Sequence, residues 1–139
     1  MSGPRRGDPM VVREWLLYAR ADLDAARVLL TIGAPQADAT AYHCQQSAEK
    51  ALKAWIIHTG KQHPLTHSIR QLLDVIGRNI EWAKEITDSE VLSSFVISAR
   101  YPGSGDPATV EDAADAIEIA AKVLSTVETA LKNERVDLT

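Results

Sequence analysis

The stretch Tyr42 to Ile57, YHCQQSAEKALKAWII, has two chemically distinct faces once it is wound as a helix. At about 100° per residue, Ala41, Cys44, Ala48, Ala51, Leu52 and Trp55 gather into one apolar sector. Tyr42, Gln46, Glu49, Lys50 and Lys53 fall on the opposite side. Small residues dominate the apolar sector, so neighbouring helices can approach closely there. The other face carries amide, carboxylate and amine groups on adjacent turns.

Working outward, residues 11–31 repeat Trp15, Leu16, Ala19, Leu23, Ala26 and Leu30 at helical spacing, and Gly33 and Pro35 end the pattern. The central helix then runs over about 36–59 and stops at Gly60 and Pro64, which predicts an antiparallel hairpin of the first two helices. Thr66 or Ser68 can cap a short third helix carrying Ile69, Leu72, Leu73 and Ile76, and Ser68 with Gln71 has the spacing of a capping box. Thr87 with Glu90 has the same form and predicts a fourth helix that buries Val91, Leu92, Phe95 and Ala99. Residues 100–109, RYPGSGDPAT, form a loop because their two prolines and two glycines break any helix. Thr109 caps the last helix, Glu111 and Asp112 sit in its first turn, and Ala113, Ala116, Ile117, Ala120, Leu124, Val127 and Leu131 form its stripe. The expected architecture is all-α, an up-and-down bundle of about five helices.

One domain suffices for a chain of 139 residues. It is expected over residues 11–132, between a flexible tail at 1–10 and a frayed tail at 133–139. The formal charge of −4 argues against non-specific binding of duplex DNA, which needs a basic face, and leaves room for a local phosphate site. Arg5 and Arg6 precede no apolar run, so the N-terminus does not read as a signal peptide, and no run approaches the roughly 20 apolar residues of a membrane span. The single cysteine, Cys44, lies in the apolar sector and reads as a buried structural thiol, consistent with a reducing cytoplasm.

Three groups of residues have the chemistry of a site. Gln46, Glu49, Lys50 and Lys53 share a helix face, with Glu49 and Lys53 in the favourable i, i+4 order. A solvated surface is the simplest reading of that face, and the wall of a symmetric dimer groove is the alternative. Among His43, His58, His63 and His67 only the last two have metal-pair spacing, and Pro64 interrupts them, so no metal is expected. His67 beside the third-helix cap is explained by local hydrogen bonding. Arg100 with Tyr101 and Pro102 offers a planar cationic fork and a stacking ring at a glycine-rich loop, and equally well an arginine that closes a helix C-terminus. The sequence contains no glycine-rich phosphate loop, dinucleotide fingerprint, cysteine pair or serine nucleophile elbow.

Taken together, Tyr42-His43-Cys44-Gln45-Gln46-Ser47-Ala48-Glu49-Lys50-Ala51-Leu52-Lys53, Thr66-His67-Ser68-Ile69 and Ala99-Arg100-Tyr101-Pro102 resemble the HEPN domain family. The opening helix, with Trp15, Ala21, Asp22, Leu23 and Ala25, is similar to that family as well. The resemblance implies a four-helix-bundle core, a homodimer, nucleotide or RNA as ligand, and a small nucleotidyltransferase as partner in a two-component or toxin–antitoxin module. Many relatives are metal-independent ribonucleases whose motif separates an arginine from a histidine by four to six residues. Here Arg100 is present, but Gly105, Asp106 and Pro107 occupy the histidine positions. The expectation is therefore a non-catalytic binding protein without cofactor, with Arg100, Tyr101, Lys50, Lys53 and Gln46 as ligand contacts. A ribonuclease that pairs Arg100 with His67, and a purely structural adaptor, are the alternatives.

Overall fold

Helix signals at the ends and alanine-rich stripes in between account for most of the architecture seen in the computed structural model, which describes residues 7–95 and 106–139. Helix α1 spans Pro9–Ile32: Asp8 caps it by accepting from the Met10 amide at 2.9 Å, and Pro9 occupies a first-turn position where its missing N–H costs nothing. Gly33 ends it in a left-handed conformation, φ 94°, that a side chain would strain. A turn of 3-10 helix, Ala34–Gln36, leads into α2, Ala37–His58. After a connector come α3, Ile69–Ile76, the single turn α4, Glu81–Lys84, and a 3-10 segment, Thr87–Ser93. Helix α5, Val110–Asn133, closes the described chain.

Helix α2 is the centre of the bundle and packs against α1, α3 and α5. The pairings along it fix direction. Gly7 N–H donates to His58 O at 3.1 Å and Asp22 meets Lys50, so α1 and α2 run antiparallel. Asp38 accepts from the Ala108 amide at 2.7 Å while His58 meets Glu134 at 2.8 Å, so α5 runs parallel to α2 and antiparallel to α1. Ala41, Cys44, Ala48 and Ala51 of α2, Ala19 and Ala26 of α1, and Ala116 and Ala120 of α5 are all buried. Their small side chains let the three long helices lie close together, as ridge-in-groove packing requires. Leu23, Leu52, Ile56, Leu72, Leu124 and Leu131 fill the space that remains. Gly7 sits so close to the C-terminus of α2 that a Cβ there would lie 2.0 Å from the Ile57 carbonyl oxygen.

The fourth segment differs from its expectation. Thr87 does not cap an α-helix; its hydroxyl donates to Lys84 O, and the residues that follow adopt 3-10 geometry. The three-residue turn aligns Ile86, Ser89 and Leu92, which are buried, whereas Val91, expected in the core, is 54 % exposed; Ser94 and Phe95 then turn α-helical, with Phe95 half-buried against the core. Ala99, expected on the same stripe, lies outside the described residues. Ser68 caps α3 by accepting from the Gln71 amide at 3.2 Å, but the return half of the box is replaced: Thr66 Oγ1 accepts from the Ser68 amide and itself bonds Gln71. Thr109 and Asp112 form the complete capping box of α5. The C-terminal tail is not frayed, since Val136 N–H donates to Leu131 O at 3.0 Å and Val136 and Leu138 pack against the core. No helix among the described residues is long and apolar enough to cross a membrane.

Candidate functional site

Fifteen of the 22 residues of α2 are buried, so its polar face is not a free surface. The solvated reading fails at Glu49 and Lys53, which are 4 % and 5 % exposed. Burying a carboxylate is costly unless its lone pairs and charge are met, and here they are. Lys53 Nζ donates to Glu49 Oε2 at 3.0 Å, Gln45 Nε2 donates to Oε1 at 3.1 Å, and His67 Nδ1 lies 2.8 Å from the same Oε1. Burial pushes the Glu49 carboxyl up, but the bonds from His67, Gln45 and Lys53, with the Lys53 charge, together hold it below the usual carboxylate range. Gln45 also donates to the His67 backbone carbonyl at 2.8 Å, which ties the connector to α2, and Gln46 donates to Gln45 Oε1 at 2.6 Å.

This arrangement assigns roles to the two nitrogens of His67. An ionised carboxylate only accepts, so Nδ1 carries the proton toward Glu49. Nε2 has no hydrogen-bond partner among the described residues, and the side chain is 49 % exposed. The imidazole therefore stands at the surface with one edge clamped by a buried anion and the other edge free to accept a proton or, once protonated, to contact a phosphate.

A second cluster that likewise joins a carboxylate, a lysine and a histidine lies on the α1 side of α2. Asp22 meets His43 Nδ1 at 3.0 Å through one oxygen and the Lys50 ammonium through the other. Side-chain exposures here are 13 % for Asp22, 26 % for Lys50 and 34 % for His43, so the cluster sits at the rim rather than in the core. Lys50 also lines a cleft of about 420 Å³ together with Glu14, Trp15 and Tyr18 of α1. Trp15 is held from another side by His63, whose ring packs edge-on with centroids 4.8 Å apart.

The structure thus ties Gln46, Lys53 and His67 into the network around Glu49, with Lys53 inside and ion-paired, and places Lys50 in the separate Asp22 cluster. Arg100, Tyr101 and Pro102 lie outside the described residues. No cluster of three metal-ligating side chains occurs among the described residues. Cys44 is buried, and burial pushes its thiol up to about 12, the behaviour of an inert core residue. Gln45, Asp22 and the cleft residues Glu14 and Tyr18 are not singled out as site residues by the sequence. Gln45 is legible in principle, standing four residues before Glu49 as Lys53 stands four after it.

The HEPN domain model matches residues 12–130, which spans α1 through nearly all of α5. The chain belongs to the HEPN family. Two solved structures share this HEPN architecture. TT1696 from Thermus thermophilus aligns with a TM-score of 0.75 and 30% identity, over 85% of this chain and 96% of its own. ST0689, described as an archaeal HEPN homologue, aligns with a TM-score of 0.69 and 24% identity, over 86% of this chain and 97% of its own, and bears on the fold alone. No curated protein matches the chain.

Proposed function

We propose that this HEPN protein binds a nucleotide or RNA phosphate at the surface where His67 emerges, as a homodimer and as the cytoplasmic partner of a small nucleotidyltransferase in a two-component or toxin–antitoxin module. The observation that carries the ligand part is the half-exposed His67 imidazole, fixed by the buried Glu49 and free at Nε2. Arg100 and Tyr101 enter as phosphate and stacking contacts on their residue chemistry, with Gln46 and Lys50 as neighbours on the α2 face. Lys53 enters as the counter-charge that keeps Glu49 ionised rather than as a ligand contact. Family membership supports the module. Calorimetric titration of the full chain with mono- and dinucleotides, combined with co-purification against the product of the neighbouring gene, tests the proposal. Saturable binding that weakens in His67→Ala supports it; absence of binding in both assays removes it.

The Glu49–His67 pair favours one second reading, a metal-independent ribonuclease. His67 Nε2 would take the proton of a ribose 2′-hydroxyl as that oxygen attacks phosphorus, Arg100 would stabilise the phosphate charge, and the departing 5′-oxygen would take a proton from solvent. RNA cleaved in the presence of a chelator, with loss of cleavage in both His67→Ala and Arg100→Ala, supports this reading. RNA left intact by the protein, alone and with its partner, rejects it.

A further inference from the structure

From the cleft between α1 and α2, we infer that the protein has a base-recognition subsite selective for guanine, which rests on the nucleotide-binding reading above. The cleft's volume of about 420 Å³ is in the range of small-ligand sites and leaves room for one purine and its ribose. Its two aromatic residues, Trp15 and Tyr18, are three apart on α1 and so share a face. Trp15 is held by the edge contact with His63, whereas Tyr18 is 56 % exposed, so its ring face is open to a stacking base. Aromatic rings accept any base, so stacking alone confers little selectivity.

Selectivity comes from the charges of Glu14 and Lys50 among the described lining residues. Glu14 lines it and has no hydrogen bond or ion pair among the described residues, and an ionised carboxylate only accepts. Guanine presents two adjacent donor groups, N1–H and the exocyclic amine, which match the two carboxylate oxygens. Adenine presents a lone pair at N1 beside a single amine, which places an acceptor against an acceptor. Lys50, across the cleft on α2, is anchored by Asp22 through one of its three donors and keeps the others for ribose or phosphate. With Glu14 contributed by α1 and Lys50 by α2, the opposite charges in the lining favour a nucleotide bound with its base on Glu14 and its phosphate on Lys50.

Calorimetry of the full chain with GMP, AMP and the dinucleotide GpU tests the assignment. GMP is expected to bind at least about fivefold tighter than AMP, Tyr18→Ala to weaken GMP by about tenfold or more while Tyr18→Phe does not, and Glu14→Gln to erase the preference. Equal binding of GMP and GpU identifies free nucleotide as the ligand, and binding of GpU alone identifies the end of an RNA; either supports the subsite. Unchanged GMP binding in Tyr18→Ala and Glu14→Gln overturns the subsite but leaves the His67 reading standing if His67→Ala still weakens binding. Absence of nucleotide binding by the wild type overturns both. Dissociation of a dimer by Tyr18→Ala with nucleotide affinity intact, read by sedimentation, also overturns the subsite and assigns the cleft to a second copy of the chain.

Discussion

Two clusters beside α2 each combine a carboxylate, a lysine and a histidine, and they differ in how deeply the carboxylate and lysine are buried. In one, Glu49 joins Lys53 and His67, with carboxylate and ammonium side chains 6 % and 7 % exposed. In the other, Asp22 joins Lys50 and His43 at 13 %, 26 % and 34 % exposure. Both oxygens of the buried Glu49 carboxylate are met by protein donors and Lys53 supplies the opposite charge, so Glu49 depends on its partners. The second keeps part of its hydration, and its charges remain partly screened. The same chemistry thus builds a rigid support for a histidine on one flank and an adaptable cleft wall on the other.

Removing each lysine in turn separates the two clusters most strongly. Lys53→Met leaves the Glu49 charge buried without its cation and should cost roughly 3 kcal/mol in urea unfolding. Lys50→Met, at the rim, should cost about 1 kcal/mol or less. Equal losses would show that the two clusters are energetically alike.

The next effect is on acid stability. The Glu49 carboxyl is held below its usual range in the folded protein, so the unfolded chain binds its proton first as pH falls. Its contribution is complete above the ordinary carboxylate pKa, about 4.3, and is lost as pH drops through the lower folded value. Melting temperatures from pH 3 to pH 7 should therefore fall at the acid end in wild type, and Glu49→Gln should be less stable at neutral pH with a flatter acid limb. An unaltered limb in Glu49→Gln would mean that other carboxylates set it.

Cys44 belongs wholly to the interior. Burial raises its thiol to about 12, so the folded protein should resist iodoacetamide at pH 8 and label only after unfolding. Ser47 is expected to show the smallest effect. Its hydroxyl oxygen is buried without a hydrogen-bond partner, so Ser47→Ala should leave stability within about 0.5 kcal/mol or raise it, as the same urea titration will show.

The helices are legible in the sequence because their determinants are local. The apolar sector of α2, the Gly33 stop and the Thr109 cap each act over a few residues, and the structure places them where the pattern indicates. The fourth segment departs from its pattern because Thr87 and Glu90 have cap spacing, while burial of Ile86, Ser89 and Leu92 against the bundle goes with a period of three. The site is less legible for a different reason. Whether Glu49 and Lys53 face water depends on what covers them, and the cover includes a connector tied down by Gln45 to His67 O, 22 residues away in sequence. Helical periodicity shows that Gln46, Glu49, Lys50 and Lys53 share a flank but cannot show that α3 and its connector cover half of it.

The binding proposal stands on Glu49 fixing His67 as a ligand contact. This is tested by following the His67 imidazole by NMR while the protein is titrated with a dinucleotide. The His67 ring resonances are expected to move saturably with the ligand, and Glu49→Gln to weaken this binding, while His43 serves as an internal comparison. Binding that leaves the His67 resonances unmoved, or that is unaffected by Glu49→Gln, would contradict it.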